Sequence, residues 1–312
     1  MDRGSEDRFQ TGKEFFESRQ QDRQQRGRTA ARRKHAWFFF LLPSLLGVTV
    51  FVLIPFLDVV RRSFVTAVTQ EWAGLGNYRN IFGNQAFRLA VHNTLRFTVV
   101  CLPLLIGLGL LAAVWLARFK KIQLIKSLFL FPLAMPAATV VLIWKMLFSR
   151  QGFLNGLLIS AGLLQEGMLY DYMGTGASFW VLVFSYVWKN LGYTMVLWLA
   201  GIFAVPDSMC EAARVDGASE GQVFWRVIFP NLKSSLYTIT VLSFLNSFKV
   251  FREAYLVAGS YPHEDMYLLQ HLFNNWFVNL ELDKMASAAV CVGAVLFFII
   301  LLLQRLWRQE DA

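Results

Sequence analysis

The chain has 312 residues, of which 56% are hydrophobic and 16% are charged, and its mean hydropathy is +0.44. A soluble domain carries about a quarter charged residues, so this composition indicates an integral membrane protein and argues against a large soluble helical bundle. The net charge is +9. The cysteines are odd in number and scattered, so we interpret them as small apolar side chains and not as a disulfide or a metal site: Cys101, Cys210 and Cys291.

A basic tail precedes the first apolar run. Residues 1–36 hold ten Lys or Arg, and we predict a mobile cytoplasmic tail that anionic lipids of the inner leaflet attract. Nucleic-acid binding is the alternative for such a tail, and we do not expect it, because lipid attraction explains the charge without a further partner. No cleavage site of small residues follows the first apolar run, so we expect an uncleaved span there.

Six apolar stretches are each long enough to cross a hydrocarbon core, which takes about 20 helical residues. They define one membrane domain over residues 37–307, followed by a short end over 308–312. The spans are predicted at about 37–57, 93–117, 123–148, 179–203, 235–258 and 285–307. Most of the 30 Lys and Arg residues flank the spans on the side of the tail. The positive-inside rule therefore predicts that both termini and the segment 204–232 are cytoplasmic.

The segment at about 204–232 is predicted to form two short helices joined at Gly217. Gly217 lies where a helix end favours a left-handed residue, a conformation that is unfavourable for side chains with a Cβ. Pro230 is expected to end the second helix. Two capping-box spacings mark the helix starts, namely Ser208 with Glu211 and Ser219 with Gln222.

Motifs for catalysis are absent from the sequence. There is no G-x-S-x-G, no H-E-x-x-H and no G-x-x-x-x-G-K-[ST] phosphate loop, so we predict that the chain is not an enzyme and does not hydrolyse ATP on its own. Polar side chains inside spans are the remaining candidates, because burying them in lipid is costly. Amides and hydroxyls among aromatic rings suit a neutral polyhydroxyl ligand. The predicted substrate pathway comprises Tyr186, Tyr193, Asn246 and Ser247.

Two alternatives for these polar residues stay open. Tyr193, Asn246 and Ser247 could bridge helices instead of lining a pathway. The charged residues of the fifth span are interpreted as an interfacial ion-pair cluster: Lys249, Arg252 and Glu253.

One segment resembles a known family. Glu211-Ala-Ala-Arg-Val-Asp-Gly217, closed by Ile228-Phe-Pro230, resembles the EAA loop of ABC importer permeases, with an end one residue shorter than the family's I-x-x-P form. The longer pattern Glu-Ala-Ala-x-x-Asp-Gly-Ala-Ser is similar to the carbohydrate-uptake branch of maltose-type and glycerol-phosphate-type permeases. Gly259-Ser-Tyr-Pro262 departs from the Gly-Gly-Pro of many relatives. Further segments that match the family are Gly74-Leu-Gly-Asn-Tyr78, Asn93-Thr94, Phe131-Pro132 and Gly152-Phe-Leu-Asn155.

The resemblance implies an all-α integral membrane fold of the type I ABC importer permease kind, with six transmembrane helices and a cytoplasmic pair of coupling helices. It implies the permease subunit of an ATP-driven importer that moves a sugar, oligosaccharide or related polyol by alternating access. The residues implied in coupling to the ATPase are Glu211, Ala212, Ala213, Asp216, Gly217 and Pro230.

The resemblance also implies partners and a location. The partners are a cytoplasmic ABC ATPase dimer that binds ATP and Mg, a second permease subunit, an extracytoplasmic solute-binding protein and membrane lipids, with no nucleic acid and no cofactor in this chain. The location is the cytoplasmic membrane of a prokaryote, with both termini cytoplasmic. An ion-coupled secondary transporter of a small polar solute is the alternative, and it would need carboxylates deep in the membrane. A membrane-embedded enzyme would need a polar catalytic cluster.

Overall fold

The computed structural model of the chain describes residues 41–119, 123–165 and 167–308. Within these ranges the regular structure is helical, apart from one isolated β-bridge between Val65 and Trp72. The predicted tail and the predicted short end after residue 308 lie outside the described residues, as does the start of the first predicted span.

The chain divides into two compact units, one ending at Arg61 and one over Arg62–Ala312. The first unit contains most of helix α1, Leu41–Ser63, which includes a π-helical stretch. The following helices are α2 (Gly76–Gly83), α3 (Gln85–Leu116), α4 (Gln123–Ala134), α5 (Ala137–Phe148), α6 (Phe153–Ser160), α7 (Ala177–Ala204), α8 (Asp207–Val215), α9 (residues 220–231, π-helical over Phe224–Ile228), α10 (Lys233–Ser247), α11 (Phe251–Ala258), α12 (Leu269–Val278) and α13 (Leu282–Arg308).

Three helices in the described ranges are long and apolar enough to cross a membrane: Leu41–Ser63, Gln85–Leu116 and Leu282–Arg305. The number rises to as many as five if two bent pairs each count as one span, namely Gln123–Ala134 with Ala137–Ser160 and Ala177–Ala204 with Asp207–Val215. The fifth predicted span does not reach this measure, because a 3₁₀ turn at Phe248–Val250 divides it into two helices shorter than a span.

The third predicted span, residues 123–148, is divided into two helices, α4 and α5. The axis bends by 91° between Ala134 and Ala137. Pro136 has extended ψ (144°) and lacks a backbone donor, and it disfavours helical geometry at Met135. The break leaves α4 and α5 as separate helices that meet at Pro136.

Helix α7 packs against α3 and α4 through glycines. A Cβ at Gly109 of α3 would lie 2.7 Å from Cγ2 of Thr194 in α7. Gly192 of α7 lies against the backbone carbonyl of Phe129 in α4, so any side chain there would force the helices apart. Small residues let backbones approach in this way in membrane proteins. The three helices therefore form a close-packed frame.

Three asparagines from the short segments that match the permease family attach connecting segments to helices. Buried Asn93 of α3 donates to the carbonyls of Glu264 (2.6 Å) and Tyr267 (3.0 Å). The other two each donate to two loop carbonyls: Asn77 to Ser63 and Val65, and Asn155 to Arg150 and Tyr170. Because buried carbonyls need donors, these amides fix the connecting segments on what we predict to be the outer side.

Candidate functional site

A cavity of about 660 Å³ lies between α7, the break between α4 and α5, and the helices α10 and α11. Its volume falls in the range of small-molecule sites, about 300–1,000 Å³. The apolar part of its wall includes Leu133, Met135, Pro136, Ala137, Ala138, Val140 and Val250. The polar part comprises Ser185, Tyr186, Lys189, Asn190, Tyr193, Asn246, Arg252 and Glu253.

The structure brings three of the four predicted pathway residues to this cavity. Tyr186, Tyr193 and Asn246 line it. Tyr186 is buried and its hydroxyl donates to the Ser243 carbonyl at 2.7 Å, so it also bridges α7 and α10. Ser247 is not part of the wall: it is buried, and its hydroxyl donates to the carbonyl of Phe244 in its own helix at 2.7 Å.

A partly buried ion pair that the sequence did not predict lies in the cavity wall. Lys189 Nζ of α7 donates to Glu253 Oε1 of α11. The side chains are 22% and 9% exposed. The sequence placed Glu253 in a cluster within its own span, whereas the structure pairs it with a residue of the fourth span. The available signal was the opposite charge in two predicted spans, since buried charges require partners.

Helices α8 and α9 form the predicted hinged pair, and Gly217 has φ +88°, as predicted. Its N–H donates to the Arg214 carbonyl, and the N–H of Ala218 donates to that of Ala213, both at 3.0 Å. These bonds satisfy carbonyls at the end of α8 and are typical of a helix that stops at glycine.

The capping predictions have different outcomes. The Ser219 capping box is confirmed: the Ser219 N–H donates to Gln222 Oε1 at 2.9 Å, and the Gln222 N–H donates to the Ser219 hydroxyl at 3.4 Å. The Ser208 capping box is wrong, because α8 begins at Asp207 after Pro206 and has no side-chain cap. Pro206 restricts Val205 to an extended backbone, and the helix starts directly after the proline, one residue before Ser208.

Pro230 does not end the second helix where we predicted. The chain passes from the π-helical stretch Phe224–Ile228 into a further α-turn over Phe229–Asn231, with Pro230 in its first turn. Proline is tolerated there because its missing N–H needs no partner. The run ends one residue later, where Asn231 Nδ2 donates to the Val227 carbonyl at 2.7 Å.

An ion pair joins α8 to α9 across Gly217. Arg214 Nε and Nη2 donate to Glu220 Oε1 and Oε2 at 2.7 and 3.2 Å, a two-bonded geometry that fixes the relative direction of both side chains. This hydrogen bonding lowers the pKa of Glu220 and raises that of Arg214. Both side chains are exposed.

Most predicted coupling residues lie on the surface of this helix pair. The exposed ones are Glu211, Ala212, Asp216, Gly217 and Pro230. Ala213 is half-buried against the apolar cluster of Val205, Cys210 and Val223. Large apolar side chains are also exposed here: Val215 is 87% and Trp225 is 62% exposed.

The same end of the molecule carries the ends of other helices. Trp307 Nε1 near the end of α13 donates to the Lys233 carbonyl at the start of α10. No group of three or more His, Cys, Asp or Glu that could hold a metal ion occurs among residues 41–119, 123–165 and 167–308.

Residues 105–309 match the family described as binding-protein-dependent transport system inner membrane component. The chain belongs to this family. The predicted family is thereby confirmed, and the chain is the inner-membrane permease component of such a transport system.

Known permeases resemble it along most of its length. It is 28% identical to the probable ABC transporter permease protein YesP of Bacillus subtilis, over 93% of this chain and 97% of that relative. It is 27% identical to the osmoprotective compounds uptake permease protein GgtC of Synechocystis sp., over 70% and 80%. It is 29% identical to the arabinooligosaccharides transport system permease protein AraP of Bacillus subtilis, over 86% of each.

A solved structure confirms the predicted fold class. The permease chain of a bacterial ABC transporter involved in the import of the acidic polysaccharide alginate superimposes with a TM-score of 0.78 at 20% identity, covering 89% of this chain and 96% of that chain. The architecture is therefore that of an ABC importer permease.

Proposed function

We propose that this chain carries a sugar, oligosaccharide or related polyol through the cytoplasmic membrane as one permease of an ATP-driven importer. The observation that carries the proposal is the cavity of about 660 Å³, whose wall combines amides, tyrosines and charged groups with apolar surface. Hydroxyl-rich ligands need many donors and acceptors, and their C–H faces pack on rings. Three relatives are described as permeases for arabinooligosaccharides, for starch degradation products and for lactose, which supports the substrate class.

The helix pair α8–α9 is the proposed contact with a cytoplasmic ATPase subunit. Glu211, Ala212, Asp216, Gly217 and Pro230 offer an exposed surface. Exposed Val215 and Trp225 add apolar area of the kind that marks protein interfaces. Ala213 acts differently in this proposal, because its small side chain lets α8 pack on α9.

The remaining partners follow from the same proposal. Two ATPases would bind ATP and Mg and drive alternating access, a second permease would complete the pathway, and a solute-binding protein would deliver substrate to the outer loops. A solved complex with a similar permease fold contains an alginate pentasaccharide-bound periplasmic protein, which supports such a delivery partner. Both termini would then lie in the cytoplasm.

Site-specific cross-linking tests the contact. Val215→Cys is expected to cross-link to the ATPase subunit in the assembled complex. Val68→Cys is the matched control, because Val68 is 92% exposed and lies in the first predicted outer loop. Equal cross-linking at both positions, or none at Val215→Cys, would contradict the proposed contact. Binding of a carbohydrate panel to the cognate solute-binding protein tests the substrate class.

A further inference from the structure

We propose that Lys189 and Glu253 together form a binding site for two adjacent hydroxyl groups of the carried carbohydrate. The inference rests on the proposed function and deepens it, because it assigns hydroxyl recognition to a specific pair in the cavity wall. The sequence-predicted pathway residues do not include this pair.

The position of the pair first argues for a role beyond packing. It links α7 to α11 in the wall of the cavity, and Glu253 is a buried residue, 7% exposed. A helix bridge needs no charges, because apolar residues of similar volume commonly replace a buried ion pair without loss of stability. Lys189 and Glu253 both lie within predicted spans, where charged side chains indicate a pathway.

The hydrogen-bonding capacity of the pair then defines the ligand. A lysine ammonium has three donors, and Lys189 uses one on Oε1 of Glu253. Among the described residues, no hydrogen bond reaches Oε2 of Glu253. The pair can thus present donors and an acceptor side by side. Two hydroxyls on neighbouring carbons match this arrangement, since one can accept from the ammonium while the other donates to the carboxylate.

The surroundings favour a sugar ring over a small ion. Tyr193 lines the same cavity and is half-buried, so its ring can pack against C–H groups. Asn190, which lines the same cavity, donates Nδ2 to the Tyr186 carbonyl at 2.8 Å, which fixes its amide and leaves Oδ1 as an acceptor. Charged hydrogen bonds combined with a ring suit a polyhydroxyl ligand.

The test uses the whole transporter, with its ATPases, second permease and binding protein, in proteoliposomes. The probe is the labelled carbohydrate that the binding protein binds best in a panel, together with its monodeoxy analogues. The variant is Lys189→Met with Glu253→Met, which removes the pair without leaving one charge buried. The control is Thr240→Val in α10, which removes a hydroxyl that donates to the Leu236 carbonyl of its own helix and does not line the cavity.

We expect the KM for uptake to rise about 10- to 100-fold in the cavity variant, the range that charge-assisted hydrogen bonds support. Wild-type transporter should discriminate against two particular deoxy analogues, and the variant should lose that discrimination. The control should keep both values. The exchanged pair, Lys189→Glu with Glu253→Lys, preserves a helix bridge but reverses the donors, so it should also lose discrimination.

The possible outcomes test the hydroxyl site and carbohydrate transport separately. Unchanged KM and unchanged discrimination in both cavity variants would overturn the hydroxyl site and leave carbohydrate transport standing. If the double variant does not assemble, Glu253→Gln gives the same readout, because it keeps a bond to Lys189 while removing the carboxylate. If no carbohydrate in the panel is bound or transported, both the proposed function and this inference are overturned.

Discussion

Replacing Gly217 by valine should separate ATP hydrolysis from transport. Gly217 has φ +88°, and a Cβ added there would meet nothing within 4 Å. The energetic effect is therefore a backbone effect and not a clash. A left-handed conformation costs a residue with a Cβ about 1–2 kcal/mol, and a β-branched side chain raises this toward about 3 kcal/mol. Such a penalty changes the population of the native hinge by a factor of about 5–30 or more.

The assay is ATP hydrolysis by the reconstituted complex, with and without the loaded binding protein. Gly217→Val is expected to insert into the membrane at normal levels and to lose most of the stimulation. Gly217→Ala should show an intermediate loss. Gly221→Ala is the matched control, because Gly221 is also open to a Cβ but has no positive φ, and alanine in a helix is favourable by about 0.5–1 kcal/mol. Normal stimulation of Gly217→Val would show that coupling does not need the left-handed hinge at this position.

Three further predictions follow from the site and the outer loops. Tyr193→Ala and Asn246→Ala should each change the KM for uptake or the substrate selectivity, and unchanged kinetics for both would remove them from the pathway. Arg214→Ala, Glu220→Ala and the double variant should reduce ATPase stimulation to a similar extent, since each breaks the same ion pair. Additive losses in the double variant would show that the two residues do not act through this pair. The pKa of Glu220 is lowered by Arg214, so the pair's contribution should be present above the carboxylate's ordinary pKa of 4.5 and be lost as pH falls through the lowered value. Burial lowers the pKa of His271 to about 4 from 6.5, so the unfolded chain binds more protons in that window. Thermal stability should therefore fall as pH is lowered from 6.5 to 4, and His271→Gln should weaken this pH dependence. The same pH dependence in His271→Gln would contradict a contribution from His271.

The hinge of the coupling pair could be predicted because its causes are local. Gly217 and the Ser219 capping box act within a few residues, so the pattern of side chains is sufficient. The failures at Ser208 and Pro230 are also local, and they come from competing proline geometry. Pro206 sets the start of α8, and the π-helical stretch lets Pro230 open a new turn.

The roles of the conspicuous asparagines could not be read from the sequence. Asn93 belongs to a segment that matches the family, but the two carbonyls that accept its hydrogen bonds lie more than 170 residues away in sequence. A buried amide needs specific carbonyls, and only the folded chain shows which ones are close. The same holds for Asn77 and Asn155, whose acceptors lie 5 to 15 residues away at a helix end and in irregular segments.

The cavity was predicted only in part for a similar reason. The sequence identifies Tyr186, Tyr193 and Asn246 because a polar side chain within a span is costly to bury in lipid. Lys189 and Glu253 are 64 residues apart in two different predicted spans, and only the folded chain shows that their side chains meet. Ser247 lies next to the 3₁₀ turn before α11 and is directed onto its own helix.

Substrate uptake by the purified complex in proteoliposomes tests ATP-driven import most directly. Labelled carbohydrate is expected to accumulate only when ATP is present on the side of α8–α9 and the loaded binding protein is present on the opposite side. Dissipating proton and sodium gradients should leave this uptake unchanged. Uptake that proceeds without ATP and follows an ion gradient would contradict ATP-driven import and favour a secondary transporter.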